Sequence, residues 1–195
     1  LHQLNPDINL HAYDVRLTAH NVAEIFDSYD FILDGSDNFA TRYLVNDACV
    51  LLGKTLIYGA VAQYEGQVAI FNCKTVAATT PVNYRDLFPE PPADDEILNC
   101  EEAGVLGVVP GVIGTMMANE AIKLITGIGN PAIDKMITYD ARNNKLYEIE
   151  LTAVPGTRSK IPDSLDVLMR TNYERLCSAN LLLEIDNEMF NEMLQ

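Results

Sequence analysis

Apolar and polar positions change period several times along this chain of 195 residues. Residues 9–17, NLHAYDVRL, alternate with apolar Leu10, Ala12, Val15 and Leu17, which predicts a strand. Asn21 is placed to cap a short helix over VAEIFDSY. Phe31, Ile32 and Leu33 form a brief apolar burst that ends in Asp34-Gly35, the pattern of a buried parallel strand. In FATRYLVNDACVLLG the apolar positions Tyr43, Leu44, Ala48, Leu51 and Leu52 recur at helical spacing, and Gly53 stops the helix. TLIYGAV and residues 67–71 read as strands, with Glu65-Gly66 as the turn between them. Residues 73–101 have no period and carry the proline cluster LFPEPPAD; a loop that long inside a domain is usually functional or disordered. Helical spacing returns over residues 110–126. There Gly111, Gly114, Ala118 and Ala121 make one smooth face, suited to close approach to a sheet. Residues 135–139 and 145–151 are two late strands joined by a turn at 141–144.

Strands that alternate with helices predict an α/β open sheet, and the late hairpin predicts that part of it is antiparallel. After Pro155 the character changes. GTRSKIPDS reads as a linker, and residues 164–195 as a short acidic tail with some helical pattern. The expected division is therefore 1–154 and 155–195.

Charge narrows the partners. With 13 basic against 28 acidic residues and a net charge of -15, the chain has no Lys/Arg cluster of the kind that binds nucleic acid or an anionic membrane. A basic patch on a protein partner suits it better. Cys49, Cys73, Cys100 and Cys177 form no CxxC pair, so neither a zinc framework nor a disulfide scaffold is indicated, and reduced thiols in a cytoplasmic protein fit the pattern. No signal peptide opens the chain. The longest uncharged run, residues 103–119, falls short of the ~20 residues a membrane-spanning helix needs. Because residue 1 is Leu rather than Met, it is not expected to be the natural start.

Two stretches carry candidate chemistry. In FILDGSDNFATR, the strand ends near Asp34, so Asp34, Ser36, Asp37 and Asn38 lie at the carboxyl edge of the sheet, where open α/β folds bind ligands. Asp37 and Asn38 also precede a helix whose first amides point toward an anion, and Asp is a hard ligand suited to magnesium carrying phosphates. The same two residues could equally serve as the helix N-cap alone. The second stretch is LNCEEAGVLGVVPGVIGT. Cys100 sits in a polar segment upstream of a Gly-rich helix start, where amides lower a thiol pKa; Glu101 and Glu102 act in the opposite direction. Packing and nucleophile both remain open for this thiol. Cys49 reads as core, and His2, His11 and His20 as surface residues. No GxGxxG, Walker or HExxH motif occurs.

DGSDNFATRYLVND, GQVAIFN, LFPEPP, NCEEAGVLGVVPGVIGTMMANEAIKLITG and ITYDA, in that order from about Leu4 to about Leu151, resemble the MoeB/ThiF/HesA family. These are ubiquitin-activating-type adenylyltransferases of sulfur-carrier proteins. The resemblance implies a Rossmann-like mixed sheet with flanking helices, the second half of a ThiF-type domain. It implies MgATP as cosubstrate, and a ubiquitin-like sulfur carrier whose C-terminal Gly-Gly carboxylate attacks the α-phosphate, for molybdopterin, thiamine or related sulfur transfer. It also implies a homodimer. Asp37 and Asn38 match the aspartate-asparagine pair at nucleotide and magnesium. Cys100 matches the cysteine that can bond covalently to the carrier, and residues 73–101 match the segment that crosses over the carrier's tail.

Three departures accompany the match. The phosphate loop, ribose-binding acid, Arg and Lys of the family lie upstream of the matched region, so the chain is expected to be a C-terminal portion that is inactive alone. Of the two CxxC pairs that hold zinc in many relatives, the first falls on Asn83 and Asp86 and the second near residues 155–159, which hold no cysteine; no zinc is expected. The tail is too short for a rhodanese domain. A carrier-binding module acting with a partner subunit is the alternative function. A dinucleotide-dependent oxidoreductase fragment shares the sheet pattern but lacks its fingerprint.

Overall fold

One sheet, covered on its two faces by different helices, organises the computed structural model, which describes residues 1–75, 80–91 and 104–178. The elements run α1 (Val22–Asp27), β1 (Phe31–Asp34), α2 (Phe39–Leu52), β2 (Thr55–Ala62), β3 (Glu65–Phe71), α3 (Tyr84–Leu87), α4 (Val108–Thr126), β4 (Lys135–Asp140) and β5 (Lys145–Glu150). A 3-10 turn (Thr157–Lys160), α5 (Leu165–Arg170) and α6 (Tyr173–Ser178) follow. The five strands lie in the order β1-β2-β3-β4-β5. β1 and β2 are parallel, joined through α2, with Asp34 opposite Tyr58. The rest is an antiparallel meander. The expected mixed α/β sheet is therefore the observed one.

The pleat sorts the β2 and β3 side chains between two cores. Leu56, Tyr58, Ala69 and Phe71 face α2, with Tyr43, Ala48, Val82 and Tyr84. Ile57, Val68 and Ile70 face α4, with Val109, Ile113, Met117 and Ala121. Cys49 is fully buried, as expected. Gly53 ends α2 in the left-handed conformation at φ 65, which a side chain would oppose.

Several expectations change. Residues 9–17 form no strand, and Leu10, Tyr13 and Val15 are exposed. Alternation alone does not make a strand. The ladder hydrogen bonds need a neighbour, and β1, at the sheet edge, pairs only with β2. Asn21 occupies the N-cap position of α1 without capping it; its side chain accepts from the Thr18 amide and donates to the Arg16 carbonyl, holding the incoming chain. The β2–β3 turn is Gln63-Tyr64, with Gln63 at φ 45, because Gly66 pairs with Val61 inside the ladder. Part of the 73–101 loop is ordered core. Asn72 donates its amide to the Val82 carbonyl, Asn83 and Asp86 close a capping box on α3, and Tyr84 is buried.

Of the expected smooth face of α4, Gly111, Gly114 and Ala118 point away from the sheet and only Ala121 faces it. Gly111 and Gly114 have open space around them, and it is Val109, Ile113, Met117 and Ala121 that meet the strands. The glycines that allow this approach are on the sheet itself. A Cβ on Gly66 would lie 2.3 Å from Ile113 Cγ1, and one on Gly59 would lie 2.2 Å from Met117 Sδ. We expect Gly66→Ala to lower stability by about 1–3 kcal/mol through overpacking. Chemical denaturation would show it, and Ile113→Ala in the same chain would make the two effects non-additive. α4 is long and apolar enough to cross a membrane by length and composition. Its sheet-facing residues and the buried Glu120, which accepts from the Ala132 amide (2.8 Å) and Lys123 (2.5 Å), make it instead a layer of this fold.

Residues 157–178, beyond the boundary expected at 154, pack back onto the helices: the 3-10 turn lies against α3, and α5 and α6 against α2. Leu168 and Tyr173 join the core on the α2 side, Ile161 is buried, and Asp86 accepts from the Val154 amide and the Thr157 hydroxyl.

Candidate active site

The turn between β1 and α2 is the best-defined candidate. β1 delivers Asp34 to the carboxyl edge of the sheet, and the chain must then reverse into α2. Asn38 is the N-cap: its backbone is extended and its Oδ1 accepts from the Thr41 amide at 2.9 Å, satisfying one of the free donors of the first turn. Asn38 Nδ2 donates weakly to Asp37 Oδ1 (3.4 Å), leaving the Asp37 carboxylate exposed at the mouth of a 14-residue helix. Capping is thus the work of Asn38, and Asp37 is free for a ligand.

Behind them the turn is held by buried side chains. Asp34, 6% exposed, accepts the Ser36 amide on Oδ1 (2.9 Å). Arg42, 8% exposed, donates from Nε (3.3 Å) and Nη2 (3.0 Å) to the Ser36 carbonyl. Its guanidinium lies 5.3 Å from the Phe39 ring centroid and 5.6 Å from that of Tyr58. Burial raises the Tyr58 pKa, Arg42 opposes that rise and Asp34 adds to it, so the phenol stays neutral. Asp34 Oδ2 and the Ser36 hydroxyl are buried without a hydrogen-bond partner. Unpaired buried oxygens are costly. The exposed Asp37 carboxylate beside them is a hard oxygen ligand of the kind magnesium prefers. A groove of about 380 Å³ opens beside the turn, lined by Asn38, Thr41, Arg16, His20, Arg170 and Tyr173. The C-terminal helices form one of its walls, a contribution no local signal announces.

A second set of buried polar residues supports α2 from below. Asp47 takes two hydrogen bonds from Arg85 (2.8 and 2.7 Å) and one from the Tyr173 hydroxyl (2.9 Å). Asn46 Oδ1 accepts the Tyr84 amide at 2.9 Å. Burial acts to lower the Arg85 pKa, but the hydrogen bond and charge of Asp47 outweigh it, so the arginine stays charged. Sequence reasoning passed over Arg42 and this pair. The available signals were an arginine four positions after the cap, whose side chain tilts back toward the helix start, and two adjacent polar residues inside an apolar helix.

Cys100 lies outside the described residues, as does much of the crossover expected over 73–101. Cys73 is half-buried, with its pKa raised by burial against a hydrogen bond from Thr55. His2, His11 and His20 are exposed, as expected. Among the described residues no group of three or more His, Cys, Asp or Glu could hold a metal, and Asn83 and Asp86 bond to each other at 2.7 Å.

A mixed Rossmann-like sheet with an acidic turn leading into a capped helix at its carboxyl edge defines the class: the α/β fold of the ThiF-type adenylyltransferases. Solved structures share it. MccB of Escherichia coli with ATP superimposes with TM-score 0.57 at 14% identity, over 80% of this chain and 46% of that one. MccB with AMPCPP and MccA gives TM-score 0.60, also at 14% identity, over 80% and 46%. The ThiF family model matches residues 1–158, and the chain belongs to the ThiF family.

Its relatives include a sulfur carrier protein adenylyltransferase of Thermus thermophilus, 51% identical over 141 residues, 72% of this chain and 52% of that protein. A probable adenylyltransferase/sulfurtransferase MoeZ of Mycobacterium tuberculosis is 42% identical over 174 residues, 89% of this chain and 42% of that protein. The adenylyltransferase and sulfurtransferase MOCS3 of Culex quinquefasciatus is 36% identical over 178 residues, 91% and 40%. The chain thus spans about half, or less, of the length of these curated relatives.

Proposed function

We propose that the protein bearing this chain is an ATP-dependent adenylyltransferase that activates the C-terminal Gly-Gly carboxylate of a ubiquitin-like sulfur carrier. The observation that carries the reading is the 51% identity over 141 residues to a protein named a sulfur carrier protein adenylyltransferase. In this reading residues 1–154 belong to the adenylyltransferase domain, and the phosphate loop, ribose-binding acid, Arg and Lys lie upstream of Leu1.

The geometry of the turn supports the roles of Asp37 and Asn38. Asp37 supplies a carboxylate for magnesium. Asn38 keeps the first turn of α2 intact, so its amides stay aimed at the phosphates. Magnesium, when bound, offsets the phosphate charge as the carboxylate attacks the α-phosphorus and pyrophosphate leaves. Attack by the Cys100 thiolate on the resulting acyl-adenylate forms a C–S bond and breaks the C–O bond to AMP, which departs with the electron pair. The protein works in the cytoplasm without structural zinc: no cysteine stands at 83, 86 or 155–159, and Asn83 and Asp86 hold the corresponding segments by hydrogen bonds. ATP–pyrophosphate exchange by the intact polypeptide with a Gly-Gly-ending carrier tests the reading. No exchange with a verified carrier rejects it, and carrier binding without nucleotide affinity supports a docking module that works beside a partner subunit.

The same reading includes a homodimer through α4. Its exposed positions, among them Val108, Ile122 and Ile125, carry no charge, beside a surface groove of about 680 Å³. Two copies of a chain with net charge -15 repel each other everywhere except across such an uncharged face. Ile125 is 65% exposed, so Ile125→Lys leaves the fold intact; two-fold symmetry buries two lysines and weakens association by about a hundredfold or more. Sedimentation equilibrium reads this, and an unchanged dimer excludes α4 as the interface.

A further inference from the structure

The geometry points to Arg42 and Asp34 as positioning residues that clamp the Ser36 peptide and thereby aim Asp37 and Asn38. The inference rests on the nucleotide reading of the β1–α2 turn proposed above, and extends it to two side chains that need not touch the nucleotide.

Ser36 is the pivot of the turn. Its amide is taken by Asp34 Oδ1 at 2.9 Å, and its carbonyl receives two donors from Arg42, at 3.3 and 3.0 Å. Both backbone groups of one residue are therefore held by side chains from different elements, one at the end of β1 and one in α2. Neither clamp residue is free to follow a moving turn. Asp34 is locked in the sheet opposite Tyr58. Arg42 is buried, packed by the Phe39 and Tyr58 rings, and its fork is planar. With the Ser36 peptide fixed, only the dihedrals of the next residue separate it from the Asp37 carboxylate. Asn38 is then pinned from the other side by its own cap on Thr41.

An arginine buried for packing alone is a poor choice, because its charge must be compensated. No carboxylate pairs with Arg42 among the ion pairs of the described residues; a backbone carbonyl, two rings and the Tyr84 hydroxyl face it instead. Its placement follows from holding that one carbonyl. A lysine keeps the charge and most of the stem but cannot place two donors in a fixed plane.

The test compares Arg42→Lys, Asp34→Ala and Asp34→Asn with the wild type in the intact polypeptide. Hydrogen exchange over residues 35–38 and thermal midpoint are followed, as is the magnesium concentration that gives half-maximal ATP–pyrophosphate exchange. Arg42→Lys is expected to speed hydrogen exchange in the turn. It should raise the half-saturating magnesium about tenfold, within the range seen when groups that orient metal ligands are lost, with little change in rate at saturating magnesium. Asp34→Ala should do the same, while Asp34→Asn, which keeps an Oδ1 acceptor, should restore protection of the turn. A lower thermal midpoint with unchanged turn protection and magnesium dependence would overturn the clamp and leave Arg42 as packing. If Arg42→Lys does not fold, the contrast between Asp34→Ala and Asp34→Asn decides: equal protection in both overturns the proposal. If the wild type shows no pyrophosphate exchange with a verified carrier, the adenylation reading falls, and the hydrogen-exchange comparison still decides the clamp.

Discussion

Arg85→Ala is expected to cost about 3–5 kcal/mol, because it leaves Asp47 as an uncompensated charge whose side chain is 0% exposed. Against a total stability of about 5–15 kcal/mol for a domain, that is a large fraction. The thermal midpoint should fall by roughly 6–20 °C, given about 2–4 °C per kcal/mol for a chain of this length. The cost is one of desolvation rather than of pairing, and a control separates the two. Replacing both partners, Asp47→Leu with Arg85→Met, removes the buried charges together and should recover most of the loss. Tyr173→Phe removes one of the four side-chain hydrogen bonds to Asp47 and should cost about 1–2 kcal/mol. It should also loosen α6 from α2 before the sheet unfolds, which hydrogen exchange would detect. Equal stabilities for Arg85→Ala and the double replacement would refute the account.

Asp37→Ala should lower pyrophosphate exchange at least about a hundredfold in the intact polypeptide, the scale of removing one charge-stabilising group from a reacting centre. Stability should hardly change, since the Asp37 side chain is exposed and its single contact, from Asn38, is long at 3.4 Å. Asn38→Ala provides the contrast. It removes a cap worth about 1 kcal/mol and should lower the thermal midpoint together with activity. Cys100→Ala should leave exchange intact and block sulfur transfer to the carrier, because adenylation precedes any attack by the thiol. If Asp37→Ala exchanges normally, the turn is a cap and nothing more. A Cys100→Ala protein that is normal in both assays would make that thiol structural.

These predictions depend on features of different legibility. The β1–α2 turn could be read from DGSDNFATR, because a strand end, a helix cap and the chemistry of Asp and Asn are local properties. So could α2, the β2–β3 and β4–β5 pairs and the buried Cys49. The strand expected over residues 9–17 failed because alternation records only which positions could face a core, not whether a neighbouring strand is there to pair. Three of the four residues expected on the sheet-facing side of α4, all but Ala121, were misassigned for a related reason. Small residues show where close approach is possible, but it is Gly59 and Gly66 on the sheet that determine which side is approached.

What the chain by itself determined is the alternation of strands and helices, the position of the acidic turn and the family to which it belongs, all written in short-range spacing. Only the tertiary structure decided that Arg42 reaches back to Ser36, that Asp47 meets Arg85 and Tyr173 across 38 and 126 positions, and that residues 169–174 wall the groove beside Asn38. Those contacts join residues from separate elements. Their worth comes from shared burial, where an unpaired charge or peptide group is costly, and burial exists only once the elements are packed.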